Sequence, residues 1–302
     1  MSSEQRAPLH VILDLPPHAK KDFTILVLLT DTPIPPVKER YGSYHDIFAS
    51  LFRASITLAG AEQSPPEDVS LEEGKHEATG EERDRLFTFT IESYDAVGEH
   101  LPSEERVKEA DGVLLIGSAS NAHDDIPWIK NLISFVSRLP DLNPELKLIG
   151  ICFGHQIISQ AFGGVCERNE AGWELGTRVL ELTDVGKEVF PDKEQLRVHQ
   201  MHRDHVPDVP PSFELLGSTK DCKVHGLVKF VDPSKPFSLE NISIITLQGH
   251  PEFNSTIVNT LIDYREEKGV ISKEVGDVSR EAANEHDDGD YIARRILGMF
   301  GV

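Results

Sequence analysis

The sequence predicts an α/β fold, a three-layer arrangement in which a mostly parallel central sheet is flanked by helices. Three observations point to it. Short apolar runs alternate with segments of helical periodicity through the first half of the chain, the pattern of strands joined by crossover helices. Several runs end at a glycine or a loop, as buried strands do. The chain, at 302 residues, is long enough for one large domain with a substantial core.

Taken in order, Phe23 to Leu29 reads as a buried strand that ends in Thr30, Asp31 and the loop at Pro33. Tyr41 to Phe52 has apolar residues at helical spacing. Between about 60 and 85 the composition shifts to Glu, Asp, Ser, Pro and Gly without periodicity, which predicts an acidic surface insertion. Phe87 to Ile91 alternates as a strand, and Asp111 to Gly117 is a second buried strand that stops at glycine. Asp125 to Leu139 predicts a helix with Pro127 in its first turn. Leu146 to Ile151 is a third buried strand, followed by a helix over Phe153 to Phe162 that Gly163 and Gly164 stop. The second half is richer in strands: 178–182, 195–199, 213–216, 226–230 and 242–247. Helices return over 255–267 and 291–300. One domain is expected, with its core over about 22–262, the insertion over about 60–85 and a helical C-terminal extension over about 263–302.

Composition removes whole classes of function. With 51 acidic against 30 basic residues the net charge is −21, and no basic patch is evident, which excludes nucleic acid and anionic membranes as partners. Cys152, Cys166 and Cys222 are widely spaced and contain no Cys-x-x-Cys pair, so neither a disulfide framework nor a zinc cluster is suggested. No run approaches the ~20 apolar residues of a membrane span, and the first residues lack a signal-like apolar stretch. The expectation is a soluble protein in a reducing compartment, the cytoplasm, with nothing that speaks against the nucleus.

The segment Leu148-Ile-Gly-Ile-Cys-Phe-Gly-His-Gln156 places Cys152 between a buried strand and a helix, with Gly150 and Gly154 two residues to either side. This is the pattern of a nucleophile elbow. A sharp turn presents the nucleophile, and side chains two positions away would strike the neighbouring backbone. The helix that starts at the thiol favours thiolate through its dipole, and the Phe153 N–H is placed to receive a developing oxyanion. Cys166 and Cys222 have no such setting and read as buried structural residues.

A thiol needs a base. Gln248-Gly-His-Pro-Glu-Phe253, at the end of a predicted strand, offers His250 to accept the thiol proton and Glu252 to orient the imidazole. His155 reads as structural or partly exposed, and Trp128 and Phe153 as packing residues. His199, His202 and His205, three residues apart on a strand end, do not surround one ion, so no metal is expected. The acidic run Glu285 to Asp290 reads as the start of the last helix.

Together, Gly150-Ile-Cys-Phe-Gly-His-Gln156 and Gly249-His-Pro-Glu-Phe253 resemble the class I glutamine amidotransferases and their stand-alone relatives, including the γ-glutamyl peptidases. The resemblance runs from about Ile25 to Phe253. Gly112 to Asn121 and Asp124 to Ile129 look like that family's oxyanion strand-loop and the helix after it. Val198 to Val206 is similar to its strand ending in Ser-His-Gly-Asp. The resemblance implies a Cys152–His250–Glu252 triad and an oxyanion hole at Phe153 and the Gly117-Ser118 amides. It also implies that Gln156 contacts the glutamyl group, and that Met201 and His202 line the amino-acid end through their backbones.

Ser118-Ala119 stands where Gly-Pro is common in the family, and Met201 where a small serine is usual. The implied reaction is hydrolysis of a γ-glutamyl amide, glutamine or a γ-glutamyl peptide, through a thioester, without a cofactor. Because the chain has no Gly-x-x-x-x-Gly-Lys-Ser/Thr loop, ammonia transfer would require a separate synthetase partner. A glutaminase subunit for such a partner, or a catalytically silent binding member of the fold, are the alternatives.

Overall fold

A computed structural model describes residues 9–12, 22–63 and 86–301. Ten strands form one sheet in the order β1-β3-β2-β4-β5-β12-β11-β10-β7-β8. β1 (Leu9–Ile12) lies antiparallel on β3 (Leu86–Asp95) at one edge. β3, β2 (Asp22–Leu29), β4 (Gly112–Leu115), β5 (Lys147–Ile151) and β12 (Ile242–Leu247) then run parallel as a central block. β11 (Gly226–Phe230), β10 (Glu214–Ser218), β7 (Glu174–Leu182) and β8 (Gln195–His202) extend it as an antiparallel ribbon. A short pair, β6 (Glu167–Arg168) with β9 (Asp204–His205), stands apart. The large sheet flanked by helices that the sequence predicts is the observed fold.

Alternation on the strands splits the core into two layers. Ile25 and Val27 of β2 pack on one face with Phe48 and Phe52 of α2 (Tyr44–Gln63) and with Ile292 and Ile296 of α9 (Gly289–Leu297). Leu26 and Leu28 face the other way, onto Ile129 and Leu132 of α4 (Pro127–Leu142) and Ile157 of α5 (Phe153–Ala161). A third cluster joins α7 (Ser255–Glu267) and α8 (Lys273–Ala283) to Leu175 and Met201 of the ribbon.

Where one helix was expected over Tyr41 to Phe52, two occur. α1 (Pro35–Tyr41) stops at Gly42, whose φ of 79° ends the helical path. α2 restarts behind Ser43, whose N–H and hydroxyl both donate to the Asp46 carboxylate at 2.7 Å, a reciprocal cap. α2 continues to Gln63, into the segment expected as an insertion, and residues 64–85 lie outside the described residues. Two further short helices, α3 (Glu104–Glu109) and α6 (Asp184–Val189), precede β4 and β8. The expected C-terminal helices are present, with α8 an addition. Among the described residues no helix is long and apolar enough to cross a membrane.

Candidate active site

Cys152 is the residue between β5 and α5, with φ 53° and ψ −105°. A β-carbon makes positive φ costly, so the turn stores strain that its surroundings hold in place. Those surroundings are specific. The Cys152 N–H donates to the Leu247 carbonyl at 2.8 Å, and a β-carbon on Gly150 would stand 2.8 Å from the Gly154 backbone. A β-carbon on Gly154 would strike the Leu115 carbonyl. Both glycines flanking the elbow are therefore required by close backbone approach.

His250 arrives from the neighbouring strand. β12 runs parallel to β5 in a register that pairs Ile151 with Leu247, so the chain beyond each strand emerges side by side. The His250 N–H donates to the His199 carbonyl at 2.8 Å, and its ring stacks on Phe253 with centroids 4.1 Å apart. Nδ1 lies 2.8 Å from Glu252 Oε1. A carboxylate only accepts, so Nδ1 carries the hydrogen. Gly117 stands where the imidazole and the cysteine converge: a β-carbon there would be 2.8 Å from His250 Cε1 and 3.6 Å from Cys152 Cβ. Burial pulls the His250 value down, but the charges of Glu252 and then Cys152 outweigh it and raise it to about 10.

The loop after β4 is braced from β2. Thr30 Oγ1 donates to the Ile116 and Gly117 carbonyls at 3.1 and 2.9 Å, and Ser118 Oγ donates to the Thr30 carbonyl at 2.8 Å. With the Gly117 carbonyl turned to Thr30, the trans peptide aims the Ser118 N–H the opposite way. The Ala119 N–H is used by Asp31 Oδ2 at 2.7 Å. The Phe153 N–H opens α5 and has no acceptor within the helix.

Two adjoining cavities of about 210 and 300 Å³ meet at Cys152. Gln156, Met201 and His202 line the first, together with Arg168, Trp173 and Asp204. Gln156 is itself held, its Nε2 donating to the Asp204 carbonyl and to Gln248 Oε1 at 3.0 Å each. Gly117 and His250 line the second, with Tyr44, Phe253, Tyr264 and Lys268. The structure thus brings all the sequence-derived site residues to one region, Phe153 through its backbone; its ring stacks on Trp128 at 5.6 Å as a packing residue.

Arg265 had no signal in the sequence beyond its helix. It lines both cavities, lies 4.7 Å over the Trp173 ring and directs Nε to Met201 Sδ at 3.2 Å. Burial lowers its value, and the charges of Cys152, Tyr44 and Asp31 oppose that. Tyr44, whose hydroxyl is pushed up by burial and then by Asp31, was likewise not legible as a site residue.

Other histidines and cysteines separate from the site. His155, expected to be structural or partly exposed, is fully buried; it pairs with Thr246 Oγ1 at 2.8 Å, and burial, then His225 and His202, lowers it to about 3. His199, His202 and His205 turn to Thr177, Glu174 and Glu167 respectively. The thiols of Cys166 and Cys222 are buried and pushed up by that burial.

Residues 83–262 match the family model for glutamine amidotransferase class-I. The chain is 33% identical to a glutamine amidotransferase-like protein of Schizosaccharomyces pombe over 91% of this chain and 98% of the relative. It is 28% identical to γ-glutamyl peptidase 4 of Arabidopsis thaliana over 93% of this chain and 95% of that protein. Among solved structures, a glutamine amidotransferase from Thermotoga maritima shares the fold, with TM-score 0.63 at 17% identity over 93% of this chain and 99% of that one. By family model, sequence relatives and fold, the chain belongs to the class I glutamine amidotransferase family.

Proposed function

We propose that the protein is a stand-alone cysteine hydrolase of γ-glutamyl amides, acting on γ-glutamyl peptides in the manner named for its Arabidopsis relatives. The observation that carries the reading is Cys152 on a strained turn, facing the His250–Glu252 pair, at the junction of two cavities. The first, lined by Gln156, Met201, His202, Asp204 and Arg168, takes the glutamyl group with its ammonium and carboxylate. The second, with Tyr264, Arg265 and Lys268, gives the leaving side more room than ammonia needs and cations for a peptide carboxylate.

His250 takes the Cys152 thiol proton, and Sγ attacks the γ-carbonyl carbon. The oxyanion is received by the amides of Phe153 and of the Gly117-Ser118 loop. As the C–N bond breaks, His250 returns the proton to the departing amine and leaves a thioester. Water, deprotonated by His250, then attacks; the tetrahedral species expels Sγ, glutamate leaves, and Cys152 recovers its proton.

A panel of γ-glutamyl dipeptides, glutathione and free glutamine tests this. Glutamate release from the peptides, lost in Cys152→Ala, is the expected result. Turnover confined to glutamine, with ammonia as product, would instead indicate a glutaminase subunit serving a separate synthetase. No turnover together with no alkylation of Cys152 by iodoacetamide would indicate a binding member of the fold.

A further inference from the structure

Behind the wall of the first cavity, four buried side chains converge. Glu174 comes from β7, His202 ends β8, Cys222 lies in the loop after β10, and His225 immediately precedes β11. One donor atom from each lies within 4.8 Å of all the others. Glu174 Oε2 is the hub, 2.8 Å from His225 Nε2 and 3.0 Å from His202 Nε2.

The two imidazole contacts differ. His225 Nε2 makes an aligned hydrogen bond to the carboxylate and donates to it. His202 directs Nδ1 to the Asp204 carbonyl at 3.1 Å, and a carbonyl only accepts, so Nδ1 holds the ring hydrogen. In a neutral ring Nε2 is then a lone pair. It is buried, has no aligned hydrogen-bond partner, and stands 3.0 Å from a carboxylate oxygen that is itself an acceptor. Two acceptors at that distance in a site with His202 only 4% exposed repel each other strongly. A positive charge between them removes the conflict. A second ring proton would supply the charge but would meet Oε2 out of line; Cys222 Sγ, beside the pair, donates to the Val224 carbonyl at 3.6 Å, a weak contact that a bound ion would replace.

We propose that Glu174 Oε2, His202 Nε2, His225 Nε2 and Cys222 Sγ bind one divalent transition-metal ion of the zinc class. One carboxylate, two imidazoles and one thiolate form a donor set that suits tetrahedral zinc, and four protein ligands make a closed, structural site rather than a catalytic one. The outer contacts of His202, Glu174 and Cys222 match, while His225 Nδ1 is buried without an aligned partner. His202 Nδ1–H on a backbone carbonyl is the partner that orients a metal-bound imidazole. Thr219 Oγ1 donates to Glu174 Oε1 at 2.6 Å and accepts the Cys222 N–H at 3.0 Å, so one hydroxyl sets two ligands. The charges close: binding releases the Cys222 thiol proton to solvent, His225 moves its proton from Nε2 to Nδ1, and a 2+ ion meets one carboxylate and one thiolate. Burial and Glu174 push the free thiol up, a cost that the ion's own charge reverses. Since His202 also lines the cavity at Cys152, the ion would fix the wall against which the substrate rests.

The test uses the full-length protein, stripped with a chelator and then titrated with Zn2+ or Co2+ alone. One equivalent should bind, the cobalt form should show thiolate-to-cobalt charge transfer in the near ultraviolet, and zinc should raise the unfolding midpoint. Cys222→Ser should lose the charge-transfer band and weaken zinc binding by at least about tenfold, the least lost when even an outer partner is removed. Cys152→Ser should keep both. Substoichiometric binding of both ions overturns the proposal, as does a band that survives Cys222→Ser and vanishes in Cys152→Ser. If Cys222→Ser does not fold, wild-type protein alkylated at Cys152 decides: a retained band supports the site and a lost band overturns it.

Discussion

At the scale of single residues, the decisive contact is between His250 Nδ1 and Glu252. Glu252 fixes the ring hydrogen on Nδ1, and against the pull of burial its charge, with that of Cys152, raises the imidazole to about 10, which favours the cation that the proposed mechanism forms when the thiol proton is transferred. Glu252→Gln removes the charge while keeping the shape. It should cut kcat by roughly 100-fold or more through loss of tautomer and charge, and it should move the alkaline limb of the pH–rate profile to lower pH. A limb that stays in place would separate Glu252 from His250. The sign carries over to stability: a raised imidazole contributes stability present below its unfolded value near 6.5, and that contribution is lost as pH rises through about 10. Cys152, His250 and Glu252 were legible because each lies in a short motif with its own glycines and turn. Arg265 was not, because a lone arginine on a helix gives no sign of which loop it will face. Glu174, His202 and Cys222 were not, because they are far apart in sequence and meet only when β7 and β8 pair beside the β10–β11 loop.

Among the elements, the brace between β2 and the loop after β4 matters most. Thr30 ties down two carbonyls of that loop, and in the proposed mechanism it thereby sets the direction of the oxyanion-binding amides. Thr30→Val keeps the volume and removes the donor. It should lower kcat by about 10- to 100-fold, the cost of misplacing a reacting group by a fraction of an ångström to one ångström, while KM changes little. A raised KM with wild-type-like kcat would place Thr30 in substrate binding instead. The long apolar strands were readable from sequence because burial on both faces leaves an unbroken run. α8 was not, for a physical reason: its buried face is Gly276, Ser279 and Ala283, small residues of which the last two pack on Gly176, where φ is 76° and a β-carbon would stand 2.6 Å from the Ser279 carbonyl. Close approach, rather than hydrophobicity, docks that helix, while Val275 and Val278 face outward.

For the whole molecule, the C-terminal region is tied to the strand that supports the base. Asp288 is buried, accepts the Arg197 N–H and Lys193 Nζ at 2.7 Å each, and donates its own N–H to the Arg197 carbonyl at 2.7 Å. Asp287 meets His199 two residues along β8, and His199 in turn receives the His250 N–H. Asp288→Ala leaves a backbone donor and a lysine without their partner and should cost about 1–3 kcal/mol, read as a fall of several degrees in the thermal midpoint. An unchanged midpoint would show that the tail is merely appended. The sequence indicated a tail of helices but not this fastening, which depends on a strand some 90 positions earlier, Asp288 and Arg197 being 91 residues apart. The same global view explains how chemistry and specificity are divided. Cys152 and His250 follow adjacent parallel strands whose spacing is fixed at about 4.8 Å by the backbone ladder. The cavity walls come largely from α7, from loops and from the end of β8, outside that pair of strands. Substitutions can therefore remould what is bound without moving the proposed Cys152–His250 pair, which makes the fold evolvable: new ligands can be acquired one wall residue at a time over an unchanged pair.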